Sequence, residues 1–421
     1  MKRYLVRLIL PLVLIASMLA HVAGWLTIPY VNDIQQKIYD TQVRLTAPGG
    51  EDPRIVIVAI DEESLQREGH WPWTRDKLGL LVNKIFEFGA VLTGFDVVFP
   101  ERDESIDLLT LKELATDSRD AGFLQRLEQF EPQLNRDHQF ADALRANPTV
   151  LAYYFLLDER ARFETGSLPY AAFELDESTA DAVQLPKAQG YTSNLEPLMA
   201  GAYSAGFISN PLIDDDGIVR RTPLLHEYQD NVYESLSLAM AATYLDDIAL
   251  PVFVPDPMLV QGYPPLEAVE LGGRQIPLDA QGAVLVPYRG PAGSFEYISA
   301  ADIMRDTLDN PELLEGAIVI IGATSPGLQD LRATPFGSVY PGVEIHANVL
   351  SGILDDRFRW QPAYTLAIEL IAVAVFGLVI SLVLPLLSAI SATYLTVGLI
   401  GLSIGFNMYL WEVQMHVLPL A

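Results

Sequence analysis

The sequence predicts an α/β fold, with one large mixed-sheet domain carried outside a membrane and flanked by transmembrane helices. Three observations support this. Long apolar runs stand at both ends of the chain. A β-branched run, an amphipathic stretch and a second β run follow one another from Arg54 to Phe99. Shorter strands separated by turns follow from Ala200.

The N-terminal stretch "MKRYLVRLILPLVLIASMLAHVAGWLTIPY" places Lys2, Arg3 and Arg7 ahead of an apolar run from Leu8 to Ile28, broken only by His21. That length crosses a bilayer, and the preceding basic residues hold the N-terminus in the cytoplasm. A cleaved signal peptide, with Val22-Ala23-Gly24 as its small-residue site, is the rival reading. Near the other end, Tyr364 to Leu384 is apolar except for Glu369, and Leu387 to Leu410 carries no charge. Pro385 separates two expected spans. Glu369 should face another helix, because a carboxyl in hydrocarbon is costly. The division expected is a cytoplasmic tip and first span over 1–28, an exterior domain over 29–360, and two spans plus the start of a further external loop over 361–421. The closing "WEVQMHVLPLA" reads as a loop leading into another span.

Within the exterior part, Val31, Ile34, Ile38 and Leu45 follow a seven-residue rhythm, so a helix continues off the membrane. "RIVIVAI" (Arg54 to Ile60) has no alternation and reads as a buried strand. Thr74 or Asp76 can cap the next helix, whose Leu78, Leu81, Val82, Ile85 and Phe88 keep helical spacing up to Gly89. "AVLTGFDVVF" completes a βαβ unit with an expected parallel pairing. Residues 103–136 read as a helical insertion, "DHQFADALRANPTVLAYYFLL" as helix then strand, and the segments after Ala200 as antiparallel hairpins. "IVIIGATSPGLQD" returns to a parallel-type strand, and "PGVEIHANVLSGILDD" is a last helix before the membrane.

Composition excludes several functions. The formal charge of -27 argues against a nucleic-acid surface, because phosphate binding needs clustered Lys and Arg. The absence of cysteine removes disulfides, thiolate metal sites and thiol nucleophiles together. No two of the six histidines have the spacing of a helical metal pair. "GATSPG" lacks the Lys of a phosphate-binding loop, and "AYSAG" has Ala202 where a nucleophile elbow needs Gly. "DDDG" (Asp214 to Gly217) fails the calcium-loop spacing and reads as a turn. What remains is a set of candidates. Asp61 and Asp96 stand at strand C-termini, where α/β sheets bind ligands; either they face one crevice joined by Arg75, or they cap loops and pair with Arg75 for structure. Trp71 and Trp73 flank Pro72 as an aromatic wall or a hydrophobic plug. His346 is a ligand contact, a pH reporter or a structural histidine.

Taken in chain order, "VAIDEESL", "GHWPWTR", "GFDVVFPERD", "HQFADAL", "NPLIDDDGIVRRTPL", "YRG", "ISAADI", "IVIIGATSPGLQD" and "TPFGSVYPGVEIHANVL" resemble the CHASE2 family of extracytoplasmic sensor domains. The resemblance covers roughly residues 30 to 410. It implies the input half of a multi-pass receptor in a bacterial inner membrane, with a cytoplasmic output following the spans. A class III adenylate/guanylate cyclase is the first expectation for that output, and a kinase or diguanylate cyclase the next. The candidate ligand-binding set then becomes Asp61, Trp71, Trp73, Arg75, Asp96, Arg221, Thr324, Asp330 and His346. No catalytic residue, cofactor or metal is expected in this chain. The expected partners are a lipid bilayer, a second copy of the chain, and an unknown extracytoplasmic ligand or envelope protein. Two alternatives stay open: a partner-binding protein without output, and a periplasmic hydrolase using Asp61, Asp96 and His346.

Overall fold

Six consecutive apolar residues leave Ile55–Ile60 (β1) no polar face, so the strand is buried along its whole length. In the computed structural model it lies inside a largely parallel sheet. The structure describes every residue except 1, 104–107, 118–120, 159–161, 176–182, 255–264, 329, 363 and 419–421. The chain divides into two compact units, Pro48–Phe358 and Met1–Ala47 with Arg359–Ala421.

In the larger unit, β1 is joined by Leu92–Phe95 (β2), Thr149–Leu156 (β3), Ser204–Phe207 (β4), Glu296–Ser299 (β5) and Ile318–Ala323 (β6). The parallel order is β5-β1-β6-β2-β3-β4. The second half of β3 pairs instead with Gly190–Thr192, antiparallel, which makes the sheet mixed. The expected direct pairing of β1 with β2 does not form: both are parallel members of one sheet, but β6 lies between them.

The expected run of hairpins after Ala200 is corrected at its start. Ala205, Gly206 and Phe207 of β4 are buried and pair in parallel with β3. Arg221–Pro223 pairs with the distant Ala283–Leu285 rather than with a neighbour. Leu266–Leu271 and Arg274–Pro277 do form a hairpin. It turns on Gly272 and Gly273, both at positive φ, as a two-residue hairpin turn demands.

Five helices position the cavity or brace the sheet. Glu62–Glu68 (α1) is capped by Asp61, whose Oδ1 accepts from Ser64 N at 2.7 Å. Arg75–Glu87 (α2) buries Leu78, Leu81, Val82 and Ile85 on one face. Of the two expected residues Thr74 takes the N-cap position, but its side chain makes no cap bond, and the Asp103 carboxylate accepts from Arg75 N at 2.8 Å instead. Arg136–Ala146 (α3) is capped by Asn135 and packs on α2. Leu236–Leu245 (α4) is buried from Leu236 to Ala242, so it has no solvent face to make amphipathic. Gly342–Asp355 (α5) is buried over nearly its whole length and packs on α4, β1 and β6.

The smaller unit holds the helices Lys2–Val22, Pro29–Thr46, Thr365–Val383 and Ala389–Val413. Among the described residues, Thr365–Leu386 and Ala389–Val413 are long and apolar enough to cross a membrane. The apolar run Leu8 to Ile28 is not one helix. The helix ends at Val22, Gly24 takes a positive φ, and Pro29 opens the next helix. Trp411 anchors this unit. It is buried, donates to Thr46 Oγ1 at 2.8 Å, and lies under the Arg359 guanidinium at 4.4 Å. Gln42 donates to Asn407 Oδ1. Glu369 faces a groove lined by Pro11, Ile15 and Asn407 from neighbouring helices.

Candidate functional site

The carboxyl ends of β6, β2 and β3 open onto a cavity of about 510 Å³, closed on another side by the first turn of α5. That volume suits a small organic solute. Asp96 follows β2, Ala323 ends β6, Tyr154 lies in the second half of β3, and Gly342, Ile345 and His346 come from α5. Two glycines let α5 approach this closely. A Cβ at Gly322 would overlap Val343, and a Cβ at Gly342 would overlap the Asp330 carboxylate. The Gly342 amide also donates to the Asp330 carbonyl at 3.0 Å.

Asp96 is the centre of the electrostatics. Its side chain is 5% exposed, and His346 Nε2 lies 3.7 Å from Oδ1. Among the described residues nothing donates a hydrogen bond to this carboxyl. Burial drives its pKa well above the ordinary carboxylate value; the Asp330 charge pushes the same way and Arg332 opposes. Burial, then the Arg332 charge, pulls His346 down to about 4. Burial, reinforced by Asp96 and Asp330, lifts Tyr154 to about 12. At neutral pH the imidazole and the phenol are therefore both uncharged. Arg332 is paired with Asp330 at 3.2 Å.

The sequence candidates divide into two groups. Trp71, Asp96, Asp330 and His346 share the cavity wall. Asp61 does not join them. It caps α1 and accepts from Ser299 Oγ at 3.0 Å. With β6 between β1 and β2, the ends of those two strands stand roughly 10 Å apart at the usual strand spacing, so the expected Asp61–Asp96 crevice does not form. Arg75 does not link the two acids either. It is buried against Phe99 at 4.5 Å, with Asp137 at 3.5 Å and the Glu101 carbonyl at 3.1 Å. Trp73 is 3% exposed and donates to the Gly69 carbonyl at 2.9 Å, while Trp71 meets it edge-on and lines the cavity. The pair is thus one wall and one plug. Arg221 pairs with Asp279 at 3.3 Å, away from the cavity wall. The Thr324 amide donates to the Ile60 carbonyl at 3.2 Å, and it is the preceding Ala323 that lines the wall.

Sequence reading missed Tyr154, Asn210 and Arg332, which also line the cavity. For Tyr154 the sequence shows only the adjacent pair Tyr153-Tyr154, and strand alternation sends the two to opposite faces without saying which one meets the cavity. Arg332 stands two residues after Asp330, between the two last sequence motifs and in neither of them.

Ser237 Oγ lies 3.3 Å from His346 Nδ1, so a Ser–His–Asp chain is present in composition. It is not a hydrolase triad. Ser237 is buried, donates to the His346 carbonyl at 3.1 Å, and is not on the cavity wall, so a substrate carbonyl has no approach to Oγ. The hydrolase set of Asp61, Asp96 and His346 likewise loses Asp61. Among the described residues no group of three or more His, Asp or Glu side chains is placed to hold a metal ion.

No curated protein and no solved structure matches the chain. The CHASE2 domain matches residues 12–382, most of the sequence and all of the cavity wall. The chain therefore belongs to the CHASE2 domain family, a family of extracytoplasmic sensor domains.

Proposed function

We propose that this chain is the sensory input and membrane-anchoring module of a multi-pass receptor in a bacterial inner membrane. A solute outside the membrane enters the Asp96–His346 cavity and biases α5 between two positions. The chain running on from α5 into the Thr365–Val383 helix carries that change to a cytoplasmic output. The observation that carries this reading is that the first turn of α5 is itself a wall of the cavity. A ligand there contacts the element that leads to the membrane, and a ligand moves an equilibrium only by contacting its two states differently. A class III adenylate/guanylate cyclase is the output the family resemblance favours, and a homodimer is the assembly such an output needs. A formed cavity with polar walls favours a small solute over an envelope-protein partner, which would call for a broad apolar patch.

The placement outside the membrane is tested by labelling, because the chain has no cysteine. Tyr170 is fully exposed. Tyr170→Cys is expected to react with a membrane-impermeant maleimide in intact spheroplasts, whereas Lys2→Cys reacts only after permeabilisation. Labelling in the reverse order contradicts the proposed orientation and with it the sensory role.

A further inference from the structure

We propose that the solute taken by this cavity is a small organic cation bearing a protonated amine, with Asp96 as its counterion. This rests on reading the cavity as the ligand site and adds the ligand's chemical class.

Among the described residues, the Asp96 carboxyl is left without a partner. Four ionisable groups face it: Tyr154 from β3, Asp330 and Arg332 from the segment after β6, and His346 from α5. Arg332 and Asp330 hold each other at 3.2 Å and cancel. Tyr154 and His346 are uncharged near neutrality. Asp96 is left as a carboxyl that is nineteen-twentieths buried, lies on the cavity wall and has no hydrogen-bond donor among the described residues. Such a group needs a donor or a counterion. An ammonium supplies both, with up to three N–H groups for the carboxylate. Trp71 and Tyr154 give the same wall two aromatic rings, which favour a cation further. A bare divalent cation fits poorly, because calcium takes six to eight oxygens and the described residues offer no such set.

The pairing carries a proton signature. Asp96 favours its protonated form in the empty site, and an ammonium ligand favours the carboxylate. Binding therefore expels the Asp96 proton to solvent, and affinity rises with pH until the empty site is itself ionised.

The test is titration calorimetry on the full chain in detergent micelles, in two buffers of different ionisation enthalpy. The ligands are putrescine, cadaverine and tyramine, each set against its isostere with hydroxyl in place of every amine. The expected result is that an amine binds, its hydroxyl isostere does not, and up to one proton is released per site. Asp96→Asn should weaken that amine about 30-fold or more, as loss of one partner of a buried charge pair does, and should abolish proton release. Trp71→Leu should weaken it less and leave proton release intact, which separates the two roles. Equal binding by the hydroxyl isostere, or unchanged affinity in Asp96→Asn, overturns the proposal. Failure of every amine, alongside Asp96-independent binding of a neutral or anionic solute in the cavity, removes the cation assignment and leaves the ligand-site reading standing. Failure of solutes of every charge removes both.

Discussion

Asp52→Asn should destabilise the larger unit by about 3 kcal/mol, the low end for breaking a buried ion pair. The Asp52 side chain is 2% exposed and accepts four bonds. Arg54 donates through its backbone N at 3.1 Å, Nε at 2.8 Å and a terminal nitrogen at 2.6 Å, and Ser351 Oγ of α5 donates at 2.7 Å. The low end applies because Arg54 is 37% exposed and keeps its second partner, Asp355. Asparagine fills the same space, but its amide nitrogen faces donors and the charge on Arg54 loses the partner that takes two of its side-chain bonds.

The same site fixes a pH limb. Burial opposes the charged form of Asp52, but the bonds from Arg54 and Ser351 outweigh it and hold the pKa at about 2, below the ordinary 3.8. A carboxyl with a depressed folded pKa contributes fully above its unfolded value and loses its contribution as pH falls. Roughly 2 kcal/mol should therefore disappear between about pH 4 and pH 2 in the wild type. Thermal unfolding of both proteins across that range reads the effect. The gap between wild type and Asp52→Asn should be largest at neutral pH and close towards pH 2.

Gly206→Val should cost more than about 3 kcal/mol, beyond the usual range for overpacking, because the added atoms meet backbone and not a side chain that can turn away. A Cβ at Gly206 would overlap Ser235 C and Leu236 N and Cα, where α4 starts against β4. The variant must push α4 off the sheet. Ser237 of α4 bonds His346, so the cavity wall moves with it. At roughly 2 °C of melting temperature per kcal/mol for a large domain, a drop of several degrees is expected by intrinsic fluorescence. A melting temperature within a degree of wild type would show that the close β4–α4 approach is not a constraint on the fold.

Much of the local structure is legible in the sequence because local rules dominate there. Ile55–Ile60 has no polar residue and could only be a buried strand, and the spacing of Leu78, Leu81, Val82 and Ile85 could only suit one helix face. Strand order is not legible. The insertion of β6 between β1 and β2 depends on pairing Ile318–Ala323 with segments more than two hundred residues earlier, and no local signal encodes that. This one insertion explains why Asp61 and Asp96, alike in sequence position, part company. It also puts Asp330 beside Asp96, since both follow neighbouring strands. His346 and Asp96 each stand out in the sequence, but separately. Their proximity follows from the packing of α5 over Gly322, a long-range contact. Arg75 shows the opposite case, where a residue that looks functional in a Trp-Pro-Trp-Thr-Arg motif is held by Phe99, Asp103 and Asp137 for the fold. The family resemblance, read from ordered fragments, carries further than any single residue, and the CHASE2 match over 12–382 bears it out.

The most direct test of cavity sensing is native mass spectrometry of the full chain after incubation with a low-molecular-mass cell extract. Wild type is compared with Ile213→Trp, which places an indole into the cavity from its rim. A small-molecule adduct is expected on the wild type, surviving washing and missing from the variant. An adduct that persists unchanged in Ile213→Trp, or none on the wild type under any condition, would contradict the claim that this cavity receives the signal.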